Sequence, residues 1–346
     1  MAQHINTMDM VRALRRALAK SREEYENALR KMPLGDGPIF VVADGPGYLA
    51  AQTAALSFEH LAGRPCLGRS FAEFSAYDLP LLRPHTPVLA ISVSGTTEPA
   101  VEILVAAKRR GAWLAVLTQD PRNPLATVAD EFLPLRLDAE DRSAAQNLIS
   151  VHAVAGSLGL YAGLIFKPHQ SQRESHLAQL EELPDHLDHV FSHSSNAARE
   201  MIEEIRRLHR ILILGCGFSR PAAAQGAAWL EAALGRWTLG GSPSEFPVSM
   251  PDLCNEGTGI IFLSGSQSPH KKLIHQLAEE VEQKNPVILA ISDGGDSGII
   301  RRSKLSLLIP SVHEMPAAVL QMALLQWMAS LAGRPTPQVA GTGSGA

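Results

Sequence analysis

Short, continuous apolar runs alternate with stretches of helical spacing along most of this chain. The runs are four to six residues long and end at turn residues, which predicts buried strands, and the stretches between them predict helices. The elements predicted in the first part are strands over 39–43, 88–93, 113–118 and 132–137 and helices over 48–61 and 98–110. Strands without polar alternation that alternate with helices are typical of parallel sheets covered on both faces, so we predict an α/β fold.

The same pattern occurs twice in the chain. Ile39–Gly45 aligns with Ile211–Gly217, and this offset of 172 residues also aligns Ser94 with Ser266. The register holds without gaps over about 50 residues, which indicates a tandem duplication. The second copy predicts strands over 211–214, 260–263, 287–292 and 305–309 and helices over 221–234 and 271–284. We therefore predict two duplicated, doubly wound parallel-sheet subdomains.

The remaining segments set the expected domain boundaries. A charged amphipathic helix is predicted over 6–32, and polar, histidine-rich residues join the two copies. The long apolar stretch 149–166 is interrupted by glycine, serine and histidine, so we expect a buried helix rather than a membrane span. The expected organisation is an N-terminal helix over 1–34, a first subdomain over 35–167, linker helices over 168–208, a second subdomain over 209–335 and a tail over 336–346.

Composition narrows the class of protein. The 346 residues are 45% hydrophobic and 19% charged with a net charge of −4, which excludes a disordered chain and does not favour a nucleic-acid partner. Three cysteines are too few for a disulfide framework, and the first residues lack the apolar core of a signal peptide. We expect a cytoplasmic protein with no nucleic-acid or membrane partner.

The segment after the second strand carries the strongest candidate chemistry. Ser92, Ser94 and Thr97 surround Gly95, and Pro99 suits the first turn of the helix that follows. Free N–H groups at a helix N-terminus bind anions, and hydroxyl groups add neutral donors, so the segment predicts a phosphate site. The lysine of a nucleotide P-loop is absent. The alternative is a capped turn that binds nothing.

This Ser-x-Ser-Gly-x-Thr segment and its double copy resemble the sugar isomerase (SIS) domain family. The tandem arrangement is similar to the isomerase half of glucosamine-6-phosphate synthase and to related phosphosugar isomerases, deaminases and deglycases, over about residues 35–335. The resemblance implies flavodoxin-like subdomains, a phosphorylated sugar or amino sugar as ligand, and proton transfer at C1/C2. It also implies no cofactor, no metal, and a homodimer whose sites are completed across subunits.

The resemblance also implies residue roles. Gly47 stands where relatives often have serine, and Val93 where they often have glutamine. The phosphate would contact Ser92, Ser94, Gly95 and Thr97, and the sugar would lie near Gly45, Gly47, Glu140 and Ser143.

The acid and base residues of the family are not found at the expected positions. The family glutamate aligns with Ala232, the family histidine with Val248, and no lysine follows Lys304. The carboxylates nearest in sequence are Glu231 and Glu245, which we take as the catalytic candidates. Other groups that could replace the lost ones are His270 and Glu314.

Several alternatives stay open at this point. Without the family base, the chain could be a regulator that binds a sugar phosphate without turnover. A dinucleotide site at Gly215-x-Gly217 is disfavoured because Arg220 stands at the third glycine position. The second loop, Ser264–Ser268, could bind another anion, but we favour a helix cap. His186, His189 and His193 could bind a metal, but a solvated helix is the preferred interpretation.

Overall fold

Two five-stranded parallel sheets form the centre of the protein, one in each copy of the repeat. The computed structural model describes residues 6–19, 22–95, 98–137, 144–167, 172–246 and 253–333. The strands are β1 (Ile39–Val42), β2 (Cys66–Arg69), β3 (Pro87–Ile91), β4 (Trp113–Thr118), β5 (Glu131–Pro134), β6 (Arg210–Gly215), β7 (Trp237–Gly241), β8 (Thr258–Leu263), β9 (Val287–Asp293) and β10 (Leu305–Ile309).

Helices cover both faces of each sheet, as the α/β prediction requires. They are α1 (Thr7–Ala19), α2 (Arg22–Arg30), α3 (Pro46–Ser57), α4 (Phe71–Glu73), α5 (Glu98–Arg109), α6 (Pro124–Val128), α7 (Ala144–Phe166), α8 (Gln172–Glu181), α9 (Leu183–His193), α10 (Ser195–Ile205), α11 (Ser219–Leu234), α12 (Lys271–Glu282), α13 (Ser297–Arg302) and α14 (Glu314–Ala332). A π-helical turn, Phe58–Ala62, continues α3.

The two sheets have the same topology, which confirms the predicted fold class. Their strand orders are β2-β1-β3-β4-β5 and β7-β6-β8-β9-β10. In both, the chain reverses its winding direction beside the first strand of the copy, between β1 and β3 and between β6 and β8. In open parallel sheets this reversal leaves a crevice at the carboxyl ends of the strands, where ligands bind.

The edge strands β2 and β7 were not predicted from the sequence. Both contain glycine, which weakens the strand pattern, and both need it for close packing. A Cβ at Gly68 would lie 3.1 Å from the carbonyl oxygen of Ala51, and a Cβ at Gly240 would overlap the carbonyl of Ala223. The glycines let each edge strand lie directly against the helix that precedes it.

The core lies around two long apolar helices, α7 and α14. Both are long and apolar enough to cross a membrane by length and composition, but 89% of each apolar window is buried inside the protein. The prediction of a buried helix over 149–166 is therefore confirmed. α3 packs on α7, α11 packs on α14, and one continuous apolar cluster includes side chains from both copies.

The N-terminal segment, predicted as a helix over 6–32, is helical over most of the residues that the structure describes there. It forms two helices, α1 and α2, and both pack on α7 through buried faces. The linker likewise forms three helices, α8 to α10, and α9 packs against α1. The amphipathic pattern of the sequence predicted the buried faces of these helices.

Candidate functional site

The loop Ser92–Gly95 lies at the switch point of the first sheet, where the sequence predicts a phosphate site. β3 ends at Ile91, and α5 begins at Glu98. Beside it, Gly45 follows β1 with a φ of 55° and is the N-cap of α3. Two helix N-termini therefore face one crevice, which favours the binding of an anion.

Hydrogen bonds hold the backbone of this loop. The Ser92 amide donates to the Leu117 carbonyl at 3.0 Å, which extends the pairing of β3 with β4. The Ser92 hydroxyl accepts from the Gly95 amide at 3.1 Å, and the Thr118 hydroxyl donates to the Val93 carbonyl at 3.4 Å. Because the Ser92 oxygen accepts in this bond, its hydroxyl hydrogen can still be donated to a ligand.

The Asn123 side chain packs against the loop at Gly95. Gly95 has a φ of 65°, and a Cβ there would overlap the Asn123 side chain. Asn123 is buried; its amide nitrogen donates to the Thr118 hydroxyl at 2.7 Å, and its oxygen caps α6 by accepting from Ala126. Gly95 is thus required for a close approach as well as for the turn. The Asn-Pro pair at 123–124 is the sequence signal for this cap.

The other residues predicted to contact the ligand lie in different environments. Ser94 is exposed and Ser92 half-buried at the mouth of the crevice. A Cβ at Gly47 would lie 3.3 Å from the Cβ of Ala43 and 3.8 Å from the carbonyl oxygen of Ile91, so this residue packs between β1 and β3. Thr97, Glu140 and Ser143 lie outside the described residues.

The corresponding loop of the second copy, Ser264–Ser268, is filled by the protein's own carboxylates. Asp293, at the end of β9, accepts from the amides of Ser266 at 2.6 Å and Gly295 at 2.8 Å. Asp296 accepts from the Ser264 hydroxyl at 2.5 Å. Both aspartates are fully buried. An added anion would meet two fixed negative charges there, so the structure favours the cap interpretation over a second phosphate site.

Two side chains of α12 contact the buried Asp296. His275 Nε2 lies 2.6 Å from its carboxylate and Lys271 Nζ lies 3.7 Å away. The network ties β8, β9 and α12 together. Its role is structural, since the fully buried Asp296 joins the Ser264 hydroxyl to two side chains of α12.

The two catalytic candidates lie in different environments. Glu231 is exposed in the last turn of α11. Glu245 contacts Arg220 at 2.8 Å and accepts from the Ser242 amide at 3.1 Å. Burial would raise the pKa of Glu245, but the bonds from Ser242 and Arg220 outweigh it and hold the pKa below its ordinary value. Glu245 therefore serves to position Arg220, which in turn reaches Gln52 of α3.

A separate cleft surrounds Gly217 at the switch point of the second sheet. It has a volume of about 330 Å³ and is lined by Leu56, Glu59, His60, Gly217, Phe218, Pro269, His270 and Glu314. The alternative catalytic candidates His270 and Glu314 thus meet here. α3 begins beside the first loop and ends beside this cleft, so its 12 residues separate the two by roughly 18 Å.

The carboxyl group of Glu314 has a pKa far above its ordinary value. Burial raises its pKa to about 7, although a hydrogen bond with Ser268 opposes the shift. A Cβ at Gly217 would lie 2.5 Å from Oε1 of Glu314 and 3.1 Å from Nε2 of His270, so both atoms border the same point. Both residues are candidates from the sequence, but they are 44 positions apart and only the fold brings them together.

Three further histidines lie next to this cleft. His176 and His313 stack at 3.7 Å between ring centroids, and His60 meets His176 edge to face at 6.5 Å. The histidines of α9 are separate from this group: His189 and His193 lie 4.1 Å apart between centroids. Across the part of the chain that the structure describes, no three His, Cys, Asp or Glu residues are arranged to hold a metal ion.

Comparisons with known proteins agree with the duplicated architecture. A family model, the SIS domain, matches residues 36–158 and 204–331, one segment in each copy. The glutamine–fructose-6-phosphate aminotransferase (isomerizing) of Thermococcus kodakarensis is 24% identical over 322 residues, which are 92% of this chain and 52% of that protein. The enzyme of the same name from Gloeobacter violaceus is 23% identical over 293 residues, 84% of this chain and 48% of that protein. This chain spans about half the length of these relatives.

Solved structures show the same fold. The C-terminal domain of glucosamine-fructose-6-phosphate aminotransferase from Francisella tularensis superposes with a TM-score of 0.75 at 16% identity, covering 94% of this chain and 96% of that one. Tagatose-6-phosphate ketose/aldose isomerase from Escherichia coli gives a TM-score of 0.71 at 16% identity, covering 94% and 90%.

Proposed function

The chain belongs to the SIS domain family, and we propose that it is an enzyme that processes a phosphorylated sugar or amino sugar. The reaction is an aldose–ketose isomerisation, or the deamination or deglycation of an amino sugar phosphate. All three need proton transfer at C1/C2 of an open-chain sugar.

The observation that carries the proposal is the loop Ser92–Gly95. It joins β3 to α5 at the switch point and exposes the Ser94 hydroxyl. In the described part of the chain, no carboxylate accepts a hydrogen bond from this loop. A dianionic phosphate there would meet amide and hydroxyl donors, with Thr97 as a further sequence-based contact.

We assign the base to Glu231 on the ground of the repeat. Its counterpart Glu59 lines the cleft at Gly217 in the other copy. The same offset relates Gly217 to Gly45, so we infer from the repeat that Glu231 has the corresponding position towards the first crevice. In isomerisation, its carboxylate would remove the C2 proton of the open-chain aldose. The same group would return a proton to C1 of the enediolate, while a proton moves from O2 to O1.

A second candidate function is a sensor that binds the sugar phosphate without turnover. The observation that favours it is the absence of the family acid and base, since Ala232 and Val248 stand at those positions. Glu231 is one residue from the family position, which turns it by about 100° around the helix. A panel of hexose and hexosamine phosphates separates the two, because a sensor gains thermal stability without product formation.

The test compares equivalent serines of the two loops. Fructose 6-phosphate and glucosamine 6-phosphate are titrated by calorimetry into the wild type, S94A and S94A/T97A. Loss of one hydroxyl donor to a charged group should weaken binding about tenfold, and loss of both about a hundredfold. S266A, at the repeat-equivalent position, is the control and should bind as the wild type does. Unchanged binding by S94A/T97A would overturn the phosphate site.

Turnover is tested separately with E231Q. If Glu231 is the base, kcat should fall by about 10²–10⁴-fold with little change in KM. A wild-type level of kcat in E231Q would remove Glu231 from the mechanism and leave the phosphate site standing.

A further inference from the structure

The cleft around Gly217 repeats the geometry of the first crevice but not its chemistry. Both lie at the carboxyl ends of equivalent strands, next to a glycine turn with positive φ, and the end of α3 from the first copy reaches the cleft. In the second copy, however, Asp293 already accepts from the loop amides of Ser266 and Gly295. This cleft is therefore unsuited to a second phosphate.

The groups that line the cleft suit a cation. Glu59 and Glu314 bring carboxylates from two elements, and His270 adds a ring nitrogen that can accept a hydrogen bond when neutral. Leu56, Phe218 and Pro269 supply apolar walls for a carbon skeleton. The volume of about 330 Å³ lies in the range of small-molecule pockets, roughly 300–1,000 Å³.

Glu314 carries an unmet hydrogen-bonding capacity. Its Oε1 atom is buried, and no donor among the described residues reaches it. A buried acceptor without a donor costs free energy, which a ligand N–H group can recover. The ligand N–H group would approach Oε1 of Glu314 beside Gly217. A side chain at position 217 would occupy this space, which the glycine leaves open.

We propose that this cleft is a second binding site, for a small hydroxylated compound that carries a primary ammonium group. The ammonium contacts Glu314 and Glu59, and a hydroxyl group of the ligand contacts His270. A resident metal ion is the less suitable occupant, because no three metal-binding side chains converge among the described residues. The site is independent of the phosphate crevice, from which roughly 18 Å of α3 separates it.

The site should bind its ligand more tightly as the pH rises from 6 to 8. Glu314 ionises in this window, because burial has raised its pKa to about 7. The other groups at the cleft are Glu59, His60 and His270, with Arg220 at its rim and His176 and His313 behind it.

The experiment uses the full chain and calorimetry with trans-4-aminocyclohexanol, whose amine stays protonated at pH 8. The neutral isostere trans-cyclohexane-1,4-diol measures the contribution of the charge. The wild type should prefer the amine at least tenfold at pH 8 and less at pH 6. E314Q should lose most of this preference, whereas E280Q, which changes an exposed glutamate of α12, should keep it. L56W, which fills the cleft from α3, should abolish binding of both compounds.

Two outcomes would overturn the proposal. One is a wild type that binds the amine no better than the diol. The other is an amine preference that survives in E314Q but disappears in E231Q, which would assign the ammonium to the first crevice. A melting curve for each variant identifies loss of folding. S94A should leave amine binding unchanged, so failure of the phosphate site and failure of this site give different results.

Discussion

The loops Ser92–Gly95 and Ser264–Ser268 come from the same ancestral turn but have opposite electrostatic states. This difference involves a residue that follows the neighbouring strand. It lies two positions after the residue that pairs with the last strand residue before each loop. Leu117 pairs with Ile91 in the first sheet, and Ile291 pairs with Leu263 in the second, so Gln119 and Asp293 are equivalent. The Gln119 amide donates to the Leu137 carbonyl, so it leaves the first loop's donors to a ligand, whereas the buried Asp293 accepts from the Ser266 amide of the second loop. A duplicated binding turn can thus become structural through carboxylates at and just beyond the end of the neighbouring strand.

The largest effect should come from removing the internal anion of the second loop. D296A deletes a carboxylate that contacts Ser264, His275 and Lys271. Because a buried charge network loses its centre, the free energy of unfolding should fall by about 3 kcal/mol, measured by urea denaturation. D120A, which changes the exposed turn after β4, is the control. A D296A protein as stable as the wild type would show that the buried carboxylate does not hold this loop.

The reverse substitution gives the first copy the aspartate that the second copy has at the equivalent position. Q119D should weaken the binding of fructose 6-phosphate about a hundredfold, since like charges a few ångströms apart repel by about 3 kcal/mol near a surface. Q119N shortens the side chain equally without charge and should stay close to the wild type. Equal affinities of Q119D and Q119N would mean that Gln119 does not border the bound phosphate.

The pH dependence of stability should distinguish the two crevices further. Glu314 has a pKa of about 7 in the folded protein and about 4.5 when unfolded, so the folded state holds an extra proton between these values. Stability therefore falls as the pH rises through this window. E314Q removes the free-energy cost of ionising a buried carboxylate. The variant should therefore be more stable than the wild type by about 2 kcal/mol at pH 8 and by little at pH 5. Melting temperatures of both proteins across this range provide the test, and a difference that is independent of pH would contradict it.

The smallest expected effect concerns the support beneath the first loop. N123A removes the cap of α6 and the amide bond to Thr118, which should cost about 1 kcal/mol of stability. Phosphate affinity should fall a few-fold, because Gly95 loses the surface on which it packs. N255A changes an exposed turn of the second copy and should leave phosphate affinity unchanged, as measured in the same calorimetric titration. An N123A protein with full affinity would show that the loop keeps its shape without Asn123.

Much of the fold could be predicted because its signals are local. Apolar runs such as Trp113–Thr118 and Leu305–Ile309 match the observed strands to the residue, and the repeat indicated two similar subdomains. The edge strands β2 and β7 were missed, because their glycines serve packing against α3 and α11 rather than strand propensity. The phosphate loop was found for the same local reason, since its hydroxyl groups and glycine are adjacent in sequence.

By itself, the sequence determined the duplication, the α/β class and the position of a hydroxyl-rich turn before α5, because each of these depends on neighbours in the chain. Only the tertiary structure decided which copy of that turn keeps its donors free. Asp293 and Asp296 reach Ser264–Ser268 from a different strand and its following turn, and Glu314 meets His270 across Gly217. These charges act through distances of a few ångströms between residues some twenty to a hundred positions apart, and only the packing of strands and helices sets such distances.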